Sequence, residues 1–259
     1  MKRCLTNTIY RGPELVPVRP RGIIRRGAVK ALAAAGLVLT RSRPMAQERR
    51  SQGLDNNPGA HTMIGLERLT NIQRCVQSVL DERIPGDLLE AGVWRGGATA
   101  FMRAILKANG VQDRIVWVAD SFEGLPEPDE HRYPQDKGDT HHTYEWLAIS
   151  MEEVKETFRT YDLLDDQVRF LKGWFKDSLP TAPIDRLAVV RLDGDMYQST
   201  MEALVNLYPK LSIGGYIILD DWGFIPACRQ AIDDYRSQHG ITELIRPVDG
   251  NAGCWRRER

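Results

Sequence analysis

The sequence predicts an α/β fold: a mostly parallel sheet with helices on both faces, preceded by an extension over residues 1–60. Two observations predict it. Short apolar runs alternate with stretches of helical periodicity from about residue 62 to residue 239. Glu90, Asp120, Asp193, Asp220 and Asp221 each stand where one of those runs stops. Parallel strands covered on both sides read as continuous apolar runs, and ligands bind beyond their carboxyl ends. Five acids therefore converge on one rim of the sheet.

The elements follow in order. Residues 1–60 are irregular: Pro13, Pro17 and Pro20 break the early part, Ala28 to Leu39 is helix-prone, and Asn56-Asn57-Pro58-Gly59 reads as a turn. From Thr62, Ile64, Leu66, Leu69, Ile72, Val76, Val79 and Leu80 recur at helical spacing, and Pro85-Gly86 closes that helix. Asp87 to Ala91 is a buried strand running into Gly92. A helix follows from Thr99 to Ala108, and Ile115 to Asp120 is the next strand. Residues 122–143 lack periodicity and contain Pro126, Pro128 and Pro134, so they read as a lid loop. A helix from about Tyr144 to Tyr161 precedes a strand at Val168 to Leu171. A strand from Leu187 to Leu192 leads to Asp193. A helix from about Ser199 to Tyr208 leads to Gly214-Gly215, then a strand from Tyr216 to Leu219. A last helix covers about Pro226 to His239.

Composition excludes some classes. The 259 residues are 42% hydrophobic and 27% charged with zero net charge, so nothing global argues for a nucleic-acid partner. Charge is uneven, however. Residues 1–50 hold twelve Lys and Arg against Glu14 and Glu48. That stretch reads as a solvated basic face, a membrane-surface patch or a clamp on an anionic ligand. The run Ala31 to Leu39 is too short to span a membrane and reads as a small packed helix, not a signal peptide. Four cysteines without ligand spacing argue against a zinc site or disulfides and fit a reducing cytoplasm.

The turn Glu90-Ala91-Gly92-Val93-Trp94-Arg95-Gly96-Gly97 is a glycine-rich passage from strand to helix. Glycines let the backbone approach a ligand closely. Asp120, at the next strand end, places a carboxylate where it can accept hydrogen bonds from ribose hydroxyls. An adenosyl ligand fits both features, and so does NAD. The spacing E-x-G-x-x-x-G favours S-adenosylmethionine. For Trp174, stacking on the adenine and a plain core position both stand. The sharpest feature is Arg191-Leu192-Asp193-Gly194-Asp195 together with Leu219-Asp220-Asp221. Unpaired carboxylates are costly to bury, so acids ending apolar strands call for a cation or a partner. Hard oxygen ligands suit Mg²⁺. Two blander readings stand beside it: Asp221 as a helix cap and Asp195 as the partner of Arg191. The adjacent His141 and His142 sit in the lid without a third ligand.

Several segments resemble the macrocin-type (TylF-like) O-methyltransferase family. They are His61-Thr62-Met63-Ile64-Gly65, Gly92 to Ala98, Ala119 to Pro126, Arg191 to Asp195, and Gly214-Gly215-Tyr216 through Asp220-Asp221. Cys4 to Tyr10 also resembles the family's N-terminal segment. The resemblance implies a Rossmann-like class I methyltransferase fold over residues 61–259, S-adenosylmethionine, Mg²⁺ and a homodimer. Carried over, Asp193, Asp220 and Asp221 are the metal ligands and Asp195 the general base. Glu90, Asp120 and Ser121, with Gly92, match cofactor-binding positions, and Met63 and Ile64 match a segment closing over the cofactor. Trp222-Gly223 departs from the tyrosine expected after the aspartate pair, which bears on the acceptor pocket. The implied reaction is methylation of a deoxysugar hydroxyl on a natural product. A catechol-like acceptor, a silent adenosyl-binding protein and an NAD-linked oxidoreductase are the competing readings.

Overall fold

Adjacent residues of each central strand feed opposite faces of one sheet. Leu89, Val190 and Ile217 join one apolar cluster, whereas Leu88, Val189 and Ile218 join another on the far side. That period of two is what a strand buried on both faces imposes. A computed structural model describes residues 1–9, 14–18, 23–43, 47–54 and 59–259. Pro13, Pro20 and residues Asn56, Asn57 and Pro58 of the expected turn lie outside the described residues.

The extension contains α1 (Lys2–Leu5), β1 (Glu14–Pro17), α2 (Ile23–Ala34), β2 (Thr40–Arg43) and α3 (Gln47–Ser51). β1 and β2 pair antiparallel in a small sheet of their own. The helix expected over residues 28–39 instead stops at Ala34. Gly36, at φ +73°, takes the left-handed turn that ends it, and the Leu37 amide returns to the Leu32 carbonyl. Nor is Ala31 to Leu39 packed: Leu37, Val38 and Leu39 are exposed. By contrast, α1 belongs to the main body, because Leu5 is fully buried among Ile72, Phe101 and their neighbours.

The body follows as α4 (Leu66–Asp81), β3 (Asp87–Ala91), α5 (Gly97–Ala108), β4 (Val116–Asp120), α6 (Met151–Thr160), β5 (Val168–Lys172), α7 (Phe175–Ser178), β6 (Leu187–Leu192), α8 (Tyr197–Leu207), β7 (Leu211–Leu219), α9 (Pro226–Gln238), β8 (Arg246–Pro247) and β9 (Gly253–Arg256). The sheet order is β5-β4-β3-β6-β7-β9-β8. β3 to β7 run parallel, and β9 and β8 add antiparallel pairings at one edge. α4 and α5 cover one face; α8 and α9 cover the other.

The larger departures from expectation in the body have local reasons. α6 begins at Met151 because Ser150 caps it, in a reciprocal capping box with Glu153. β7 begins at Leu211, and Gly214-Gly215 sits inside it, where the register with β6 shifts. β8 and β9 were not expected at all: they are short, and Gly253 opens the second. The order of the sheet reverses beside β3, with β4 on one side and β6 on the other, and this places a crevice at their carboxyl ends.

Candidate active site

Two turns meet in that crevice. After β3 the chain passes through Gly92 at φ +85° and Trp94 at φ +47° before Gly96 opens α5. A methyl group on Gly92 would collide with the Asp193 carbonyl, so glycine is required by both dihedral and space. The Asp193 amide donates to the Ala91 carbonyl at 2.9 Å, which fixes the two turns edge to edge.

Asp120 ends β4 and binds the first turn. One carboxylate oxygen accepts the Val93 amide at 2.8 Å, and the other accepts the Phe122 amide at 2.7 Å. Burial pushes its carboxyl up, and those hydrogen bonds pull it back. Ser121 donates its hydroxyl to the Gly124 carbonyl at 2.7 Å and shapes the start of the lid. Met63, Gly92, Asp120, Ser121, Trp174, Asp193 and Asp195 all line one cavity, together with lid residues such as Leu125, Arg132 and Tyr133. Trp174 thus faces the cavity and does not sit in the core.

Two expected cofactor residues lie behind that wall. Ile64 is 2% exposed and packs among Leu69 and Phe101. Glu90 is 1% exposed; it accepts the Thr99 hydroxyl and pairs with Arg191. Trp222 also stays off the cavity wall and packs against β9 at Gly253.

The acids ending β6 and β7 form the electrostatic centre. Asp193, Asp195 and Asp221 each offer an oxygen within 4.8 Å of the others. Asp195 sits in left-handed backbone at φ +55°, and its amide faces the Asp221 carboxylate at 3.4 Å. Burial, then the charge of Asp220, pushes the Asp193 carboxyl up to about 8, against the pull of Arg191. Burial lifts Asp195 to about 6, with the lid's His141 opposing. Asp221 is pushed well up by burial and by the charges of Asp195, Asp193 and Asp220. Such an array is short of positive charge, and carboxylate oxygens so arranged fit a hard divalent cation.

Asp220 stands slightly apart. Its oxygens pair with Arg191 at 2.5 Å and Arg68 at 2.6 Å, and Arg68 also reaches Asp249 at 2.9 Å. Arg191 also forms an ion pair with Asp193, at 2.9 Å, from a site 2% exposed. Burial disfavours the charge of Arg191, but Asp220, Asp193 and Glu90 hold it on. Arg191 was legible as an arginine inside an apolar strand, a pattern that demands buried partners. Arg68 and Asp249 carried no such signal. In the lid, the Asp139 carboxylate pairs with His141 Nδ1 at 2.8 Å.

A seven-stranded sheet of this order, with a glycine turn and a carboxylate at neighbouring strand ends, defines a Rossmann-like α/β protein of the class I methyltransferase type. The family model described as Macrocin-O-methyltransferase (TylF) matches residues 1–257, and the chain belongs to that family. It is accordingly an S-adenosylmethionine-dependent O-methyltransferase. The demethyldecarbamoylnovobiocin O-methyltransferase of Streptomyces niveus is 54% identical over 82% of this chain and 82% of its own length. The mycinamicin III 3''-O-methyltransferase of Micromonospora griseorubida is 50% identical, over 88% of this chain and 89% of its own. A third relative, from Streptomyces olivaceus, is 48% identical over 99% and 90%; it is named as a 4'-O-methyltransferase of a dimethoxy-rhamnosyl tetracenomycin. The solved structure of the O-methyltransferase NovP superposes with a TM-score of 0.86 at 46% identity, covering 99% of this chain and 96% of that one. The calicheamicin methyltransferase CalS11, 18% identical, shares the fold at a TM-score of 0.62 over 93% and 95%. Among the described residues, no helix is long and apolar enough to cross a membrane.

Proposed function

We propose that this enzyme methylates a sugar hydroxyl of a natural-product glycoside, with Mg²⁺ held among the strand-end aspartates. The observation that carries the reading is the opening of Asp120, Asp193 and Asp195 onto one cavity. The name of the tetracenomycin relative, which places a rhamnosyl group on its substrate, supports the acceptor class.

When bound, S-adenosylmethionine supplies a methyl group already activated on a sulfonium. Asp120 keeps lone pairs free for ribose hydroxyls while its backbone bonds hold the turn, and Trp174 offers a ring face for the adenine. Asp193, Asp220 and Asp221 are the proposed ligands of the cation, which when bound lowers the pKa of an acceptor hydroxyl. Asp195 takes the hydroxyl proton on a carboxylate oxygen as the oxygen–methyl bond forms and the sulfur–methyl bond breaks. The lid keeps water from these charges and so strengthens their interactions. One observation favours a second assignment. The oxygen of Asp195 lies with those of Asp193 and Asp221, whereas both Asp220 oxygens face arginines, so Asp195 would be the third ligand.

The test is a one-methyl mass shift on rhamnosyl and other deoxysugar glycosides, measured with Mg²⁺ and with EDTA, beside a panel of catechols. Turnover on the glycosides alone is the expected outcome; turnover on catechols alone defeats the sugar reading. Asp221→Asn should lower kcat by about two orders of magnitude or more, with S-adenosylhomocysteine binding by calorimetry intact. Mg²⁺ titration separates the two assignments. If Asp195 is the base, Asp195→Asn keeps metal affinity and Asp220→Asn loses it; the reverse makes Asp195 the ligand.

A further inference from the structure

α8 carries the helix start nearest to Asp195, and it lacks a cap of its own. The N-cap position is Met196, which makes no side-chain cap bond, and the first turn holds no acid. A helix start leaves backbone amides without partners, and methionine cannot supply one. The missing acceptor comes from elsewhere. Asp136, in the lid and 61 residues earlier in the chain, accepts the Tyr197 amide at 2.7 Å on one oxygen and the Gln198 amide at 2.9 Å on the other. The residue is only 2% exposed. A carboxylate at this end of a helix also meets the favourable end of the dipole. Beside it the Tyr133 and Tyr197 rings touch, with centroids 6.1 Å apart. Tyr133 and Gln198 line the same cavity as Asp195.

We propose that Asp136 is a positioning residue that couples closure of the lid to the geometry of Asp195. Asp195 lies two residues before the first amide that Asp136 holds, and its left-handed backbone is costly unless its surroundings impose it. With the lid home, the first turn of α8 is complete and the Gly194-Asp195-Met196 turn is held from its downstream side. With the lid lifted, two amides lose their acceptor, and the turn bearing Asp195 is released as acceptor enters or product leaves. The lid therefore does more than cover the cavity: it supplies the missing cap of the helix whose start follows the turn that carries the acid. This inference rests on the proposed role of Asp195 in the transfer.

Two readouts test it in the full-length enzyme. The first is hydrogen exchange of the lid and of the first α8 turn, with and without S-adenosylhomocysteine. In the wild type both segments should gain protection together. In Asp136→Ala the Tyr197 and Gln198 amides should exchange at least about fivefold faster, the effect of one lost cap. The second is steady-state kinetics per S-adenosylhomocysteine-binding site, so that unfolded protein does not count. Asp136→Ala should lower kcat by at least about fivefold, and Asp136→Asn, which keeps one acceptor, should recover part of it. Unchanged α8 exchange in Asp136→Ala overturns the proposal. So does a lowered Tm with wild-type kcat per binding site, which would make the contact merely structural. The exchange readout needs no acceptor, so a wild type that methylates no glycoside would sink the sugar reading and leave the coupling of lid and helix measurable.

Discussion

His61 shows how much one side chain can join. Its ring Nδ1 meets the Tyr161 hydroxyl at 2.9 Å, and its carbonyl accepts the Gly97 amide at 3.0 Å at the start of α5. Burial, then the charge of Arg95, lowers its pKa from 6.5. A histidine held neutral in the fold binds its proton more readily once unfolded. Its contribution is therefore whole above about pH 6.5 and drains away as pH falls through the lowered value. The Tm of the wild type should drop more steeply from about pH 7 to about pH 5 than that of His61→Gln; parallel curves would remove the effect. The acids of the site were readable because each ends an apolar strand. Asp136 was not, since its partners are backbone amides far along the chain, and a backbone amide has no signature in sequence.

At the scale of the element, α6 repeats the lesson of α8 with a local cap. Ser150 accepts the Glu153 amide, and Glu153 returns a bond to the Ser150 amide. Val154 and Phe158, both fully buried, then seat the helix against the glycine turn after β3, where Val154 leaves no room for a side chain on Gly96. Ser150→Ala should cost about 1 kcal/mol of unfolding free energy, read as a lower urea midpoint at unchanged slope. The sequence placed this helix but started it about seven residues early, because Tyr144, Trp146 and Leu147, just past the lid, extend its apolar pattern. The glycine pair of β7 misled in the opposite direction: it reads as a turn, yet here it is the irregularity that lets a long strand shift register.

For the whole molecule, the carboxyl-terminal strands close the sheet and brace the site. Trp255 on β9 is 1% exposed and packs with Tyr208. Asp249, just before that strand, pairs with Arg68, which in turn holds Asp220. Trp255→Ala should cost about 3–5 kcal/mol by equilibrium unfolding, more than any surface substitution on α2. A stability loss below about 1 kcal/mol would show that β9 is a loose edge. The parallel core was legible because short apolar runs alternate with helical stretches and stop at acids; β8 and β9 were not, because two and four residues hold no periodicity to read. The contact of Gly92 with the Asp193 turn has a last consequence. The turn proposed to receive the methyl donor and the turn that carries the proposed acceptor-side acids leave adjacent strands, and their backbones meet directly at Gly92 and Asp193. On the proposed reading, lineages can recarve the surrounding walls, or engineers can exchange the loops above them, and the spacing of these two turns stays the same.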